Sequence, residues 1–134
     1  MNVRRREVIQ LRSDSDVVRA RQSVRTMAAE SGFSLVDQTK IVTASSELAR
    51  NTIVYGGGGT LTLEALEDTP RKGVRMVFED QGPGIADIAR AMQDGYTSGN
   101  GMGLGLGGSR RLVNEFDITS VVGSGTRVVA TRWR

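Results

Sequence analysis

The stretch from Glu79 to Gly107 constrains this chain more than any other. It opens Glu-Asp-Gln-Gly-Pro-Gly-Ile and closes Gly-Met-Gly-Leu-Gly-Leu-Gly. Asp80 stands where an apolar run stops, and Gly82 and Gly84 follow at alternate positions. Gly101, Gly103, Gly105 and Gly107 repeat that alternation about twenty residues later. A residue without a Cβ lets another group approach the backbone closely. Glycines at both ends of a polar segment therefore predict a loop hinged twice over a ligand, and a nucleotide is the ligand first considered.

Composition removes several alternatives. The chain has no cysteine and no histidine. Disulfides, thiolate zinc sites and cysteine nucleophiles are excluded, as are a Ser-His-Asp triad and a phosphohistidine. At 134 residues and 38 % hydrophobic content, it has the length of one domain, taken as 1–134. No apolar run reaches the roughly 18 residues of a membrane span. No signal-peptide core follows the N-terminal arginines, so a cytoplasmic protein without membrane attachment is expected. The net charge is only +3, spread over scattered arginines with few aromatics, which argues against nucleic acid.

Periodicity predicts a first strand over Glu7 to Arg12, half buried through Val8 or through Ile9 and Leu11. Ser13, Asp14 and Ser15 offer N-cap oxygens to a helix reaching Ser31 and stopped by Gly32. Phe33 and Ser34 staple and cap a second helix running to Val54. Gly56 to Gly59 end it. Strands follow over Thr60 to Leu66 and Val74 to Glu79, joined by a turn at Asp68 to Gly73. A short helix is expected over Ala86 to Gln93, a polar loop over Tyr96 to Asn100, and a helix over Leu104 to Phe116. Strands Ile118 to Val122 and Thr126 to Trp133 close the chain. Hairpin-joined strands with helices gathered between them predict an α+β two-layer sandwich, a mixed sheet with helices on one face.

Glycine alternation by itself is weak evidence. Gly101 to Gly107 does not match the Gly-x4-Gly-Lys-Ser/Thr phosphate loop, and no βαβ unit surrounds it. The combination is more specific. Glu47 and Asn51 lie four apart on one helix face. Asp80-x-Gly82-x-Gly84 follows a strand, Gly101-x-Gly103 opens a helix, and Gly125-Thr126 sits in the last hairpin. In that order these residues resemble the GHKL ATPase superfamily, with its Bergerat ATP-binding fold, from end to end. The short lid ending Asp94-Gly95-Tyr96, the Gly103-Leu-Gly-Leu-Gly run, Arg110-Arg111-Leu112, Asn114-Glu115-Phe116 and Trp133 are similar to the RsbT-type switch serine kinases of the bacterial stressosome.

The resemblance implies a role for each matched residue. Asp80 would accept a hydrogen bond from the adenine amino group, favouring ATP over GTP. Gly82 and Gly84 would carry the backbone under the base, with Ile85 as an apolar wall. Asn51 would ligate Mg²⁺ on the triphosphate, and Glu47 would be the general base. The backbone of Gly101, Met102, Gly103, Leu104 and Gly105 would bind phosphate oxygens, and Thr126 would meet the base edge. Tyr96 to Asn100 brings no positive charge, so Arg110, Arg111 or a residue of the substrate protein is expected to supply it. The implied activity is an ATP-dependent protein serine/threonine kinase acting on a STAS-domain scaffold or antagonist and then activating a downstream phosphatase. A weak homodimer is compatible with it. The alternatives are an anti-sigma factor kinase of the RsbW or SpoIIAB type that sequesters a sigma factor, and an ATP-binding regulator without transfer activity.

Overall fold

The computed structural model describes residues 1–92 and 105–134. The chain forms β1 (Asn2–Leu11), α1 (Asp14–Glu30), α2 (Leu35–Val54), β2 (Gly59–Asp68), β3 (Arg71–Asp80), a single turn α3 (Ile88–Ala91), α4 (Gly105–Arg111), β4 (Glu115–Val121) and β5 (Gly125–Trp133). The strands make one sheet in the order β1-β2-β3-β5-β4.

The α+β two-layer class holds, but every strand pair is antiparallel, so the expected mixed sheet is corrected. The reason lies in the connections. Two helices separate β1 from β2, so the chain reverses three times between them and β2 returns against β1 in the opposite sense. Strands β3 and β4 do run in the same direction, but β5 lies between them.

Sequence explains α2 well. Ser34 Oγ accepts from Asp37 N–H at 3.2 Å, and Phe33, just before the cap, is buried. Ile41, Ala44 and Leu48 then recur at helical spacing and are all at or below 2 % exposure. Burying each large apolar side chain is worth about 2 kcal/mol. They meet Val17, Val24 and Met27 of α1 and Leu61, Leu63, Met76 and Phe78 of the sheet. Helix α1 starts less conventionally. Ser13 occupies the N-cap, but its Oγ pairs with Ser15 Oγ at 2.9 Å rather than capping a helix N–H, and Asp16 Oδ2 accepts from Arg12 N–H at 2.9 Å.

Three boundaries differ from the sequence reading. Strand β1 begins at Asn2 because it pairs with β2 along its whole length, and Ile9 and Leu11, not Val8, face the core. The helix predicted to Phe116 stops at Arg111. Leu112 N–H and Val113 N–H fold back to Ser109 and Arg110, and Asn114 N–H reaches Thr131 O at 2.9 Å, which starts β4. Phe116 and Ile118 then alternate as a strand does, so the apolar spacing shared by both periods resolves as β. The short helix is one turn, capped by Asp87 Oδ1 accepting from Arg90 N–H at 3.0 Å.

The sheet face away from the helices carries a buried charge. Glu64, 4 % exposed, accepts from Arg6 at 2.7 Å and from Arg75 at 2.7 Å, its two cross-strand neighbours. Burial alone would raise its pKa, but the bonds from Arg75 and Arg6 outweigh that and hold it below the ordinary carboxylate value.

Candidate active site

Strand β3 ends at Asp80 directly beneath the C-terminal turn of α2. This junction opens a cleft of about 430 Å³ lined by Asn51, Gly56, Phe78, Asp80, Ile85, Thr126 and Val128, among others. Its floor is the apolar end of the sheet. Its walls are α2, the loop after Asp80, and α3 with the start of α4.

Asp80 is fixed by its own loop. Oδ1 accepts from Gly82 N–H at 2.9 Å and from Thr126 N–H at 3.3 Å. No hydrogen bond to Oδ2 is present among the described residues, so one carboxylate oxygen stays available to a donor. Gly56 makes this placement possible. A Cβ there would lie 2.5 Å from Asp80 Oδ2, and one on Gly82 would lie 2.7 Å from Gly56 O. Gly84 has φ +77°, a left-handed conformation that side chains disfavour. Ile85 N–H is held by Ser120 Oγ at 2.7 Å, and Ser120 Oγ lies 2.8 Å from Thr126 Oγ1. Asp80, Thr126, Ser120 and Ile85 thus form one hydrogen-bonded corner.

Helix α2 sets the other end. Asn51 lines the cleft, and its side-chain amide has no protein partner among the described residues. Glu47 lies one turn earlier, 14 % exposed, with Oε1 3.3 Å from Arg50. It is not part of the cleft wall. Gly105 and Leu106, at the start of α4, line the cleft. Gly101, Met102, Gly103, Leu104 and the Tyr96 to Asn100 loop lie outside the described residues. Arg110 and Arg111 fall at the far end of α4, roughly 7–9 Å along its axis from Gly105, and neither lines the cleft. Arg90 of α3 does.

Sequence reasoning missed Gly56, Ser120 and Arg90. Gly56 stood in a glycine run read only as a helix stop. Ser120 was one small polar residue in an alternating strand, and Arg90 was one charge on a short helix. Neither pattern carried a signal of its own.

The residues present fit an adenine nucleotide. The free Asp80 oxygen can accept from an exocyclic amino group, the floor is apolar, and Asn51 offers a neutral oxygen of the kind hard cations take.

Comparison with known proteins agrees. Residues 36–133 match the family described as histidine kinase-, DNA gyrase B- and HSP90-like ATPase. The chain is 46 % identical over 125 residues to the serine/threonine-protein kinase RsbT of Bacillus subtilis (strain 168), covering 93 % of this chain and 94 % of that protein. It is 27 % identical to an anti-sigma F factor of Clostridium novyi (strain NT), covering 82 % and 80 %. Among solved structures, the RsbU and RsbW domains of a Mycobacterium tuberculosis protein superpose with a TM-score of 0.66 at 23 % identity, over 97 % of this chain. This chain spans only 33 % of that protein's length, and at such identity the likeness shows the fold alone. The match over most of the chain and the near full-length identity to RsbT place this chain in the histidine kinase-, DNA gyrase B- and HSP90-like ATPase family, as a serine/threonine-protein kinase.

Proposed function

We propose that the chain transfers the γ-phosphate of ATP to a serine or threonine hydroxyl of a separate STAS-domain protein, and that it then activates a downstream phosphatase. The observation that carries the nucleotide half is the Asp80 corner: one oxygen anchored by two backbone N–H groups, the other left for the base. In this reading Asp80 accepts from the adenine amino group, Ile85 and Phe78 bound the ring, and Thr126 meets its edge.

Asn51 would hold a magnesium ion, which supplies charge neutralisation on the phosphates. The start of α4, together with Gly101, Met102, Gly103 and Leu104, would hold phosphate oxygens. Glu47 would take the proton of the acceptor hydroxyl as its oxygen attacks the γ-phosphorus and the bond from that phosphorus to the bridging oxygen breaks, leaving ADP and a phosphoprotein. Arg90, the arginine of the cleft wall, is a better placed source of positive charge than Arg110 or Arg111.

Incubation with ATP labelled at the γ-phosphate and a panel of STAS-domain proteins tests this. Label on a serine or threonine of a STAS protein is expected. Binding of Mg-ATP with no labelled partner would instead favour a regulator without transfer. A second reading, a kinase that also sequesters a sigma factor, is favoured by the similarity to anti-sigma F factors. Retention of a sigma factor rather than a STAS protein in a pull-down would select it.

A further inference from the structure

We propose that Arg132 is a positioning residue: it ties the end of α4 to the start of α2, and so fixes the spacing of the two cleft walls between which the triphosphate lies. This deepens the kinase reading and rests on it.

Packing alone holds α4 weakly. Its buried residues are Gly105, Leu106, Gly107 and Ser109, and of these Leu106 alone brings a large side chain. Ser109 Oγ donates to Gly105 O at 3.1 Å, inside its own helix. Small surfaces let two helices approach closely but interlock little, because register comes from side chains that fill the grooves of the facing helix. Yet Gly105 and Leu106 form one wall of the cleft, opposite Asn51 of α2. That spacing needs a tie beyond apolar contact.

Arg132 supplies one. Val128 and Ala130 of β5 are buried toward the helices, so Arg132, two residues further on, projects the same way. One arm of its guanidinium donates to Leu112 O at 3.2 Å, just past the end of α4, and the other donates to Asp37 Oδ1 at 3.0 Å in the first turn of α2. Asp37 lies about 21 Å along α2 from Asn51. The tie is therefore remote from the cleft and acts through the two helices. It leaves Arg132 Nε buried without a partner, the sole such side-chain nitrogen or oxygen among the described residues. A buried unpaired donor lowers stability, and an aliphatic side chain like that of Val128 would avoid it. Stability alone thus does not account for an arginine here, whereas the two contacts do. A lysine, with its donors at one point, cannot span both partners.

The test compares binding of Mg-ATP and of adenosine, which lacks the phosphates, by calorimetry on the wild type, Arg132→Lys, Arg132→Met and Asp37→Asn. In both Arg132 variants ATP affinity should fall about five- to tenfold while adenosine affinity stays within about twofold, since the Asp80 corner is untouched. Asp37→Asn, which keeps the Ser34 cap on its own N–H, should move the ratio about two- to fivefold, and it decides alone if the Arg132 variants do not fold. Arg134→Ala is the control: Arg134 Nε donates to Gly32 O at 2.8 Å and so braces the turn between α1 and α2 without touching α4. It should lower the urea midpoint and leave the ratio unchanged. A merely structural Arg132 would weaken ATP and adenosine equally, which overturns the proposal, as does a fall in the ratio as large in Arg134→Ala as in Arg132→Lys. In either case the ATP assignment stands. Failure of the wild type to bind ATP at all overturns both.

Discussion

The two ends of the cleft are built on different principles. At the base end, Asp80, Thr126, Ser120 and Ile85 are locked by hydrogen bonds from backbone and neighbouring side chains, and Gly56 and Gly82 let two backbones touch. At the proposed catalytic end, Glu47 and Asn51 stand one turn apart on α2, with Glu47 Oε1 3.3 Å from Arg50 and the helix itself held by Ile41, Ala44 and Leu48 in the core. On the proposed reading, recognition falls to loops pinned by hydrogen bonds, and chemistry to side chains carried by a helix packed into the core. The two should separate under mutation, because no described residue belongs to both.

The largest separation is expected from Glu47→Ala. Loss of a positioned base should slow phosphoryl transfer about 10²- to 10⁴-fold in single-turnover kinetics while the ATP dissociation constant changes little. Loss of binding instead would make Glu47 structural and erase the distinction. Asp80→Asn should act oppositely. Replacing a charged acceptor should weaken ATP binding by about tenfold to a hundredfold, read by calorimetry. Arg90→Ala tests the cleft-wall charge, where a solvent-exposed cation is expected to change ATP affinity only about two- to fivefold and less at high salt. Unchanged affinity at low salt would move the charge elsewhere.

The smallest effect lies outside the cleft and serves as its control. Glu64 has a folded-state pKa below its unfolded value, so its ionised form is stabilised by folding. That stability is present above the unfolded pKa and is lost as pH falls through the folded one. Urea midpoints of the wild type should therefore drop on acidification below the ordinary carboxylate range. Glu64→Gln should flatten this slope and leave ATP binding at neutral pH unaltered, and an equally steep slope in the variant would refute the assignment.

The same contrast explains what could be read from the sequence. Helix α2 was legible because caps and apolar spacing act locally: Ser34, Asp37 and Ile41 to Leu48 suffice. Asp80, Gly82, Gly84 and Thr126 were legible because their spacing matches a known family. Gly56 and Ser120 were not, since their importance arises from contacts with residues 24 and 35 positions away, Asp80 and Ile85. The end of α4 was misread because Leu112 and Phe116, four apart, satisfy both helical and strand spacing, and pairing with β5 from Glu115 onward decided between them. The all-antiparallel sheet followed from strand order, which hairpin counting left open.

The central claim is that the Asp80 corner reads adenine. Titration calorimetry of the wild-type protein with Mg-ATP and Mg-GTP tests it most directly. A carboxylate oxygen that accepts from the adenine amino group faces the keto oxygen of guanine instead, which predicts ATP tighter than GTP by about a hundredfold or more. Equal affinity for the two nucleotides would contradict it.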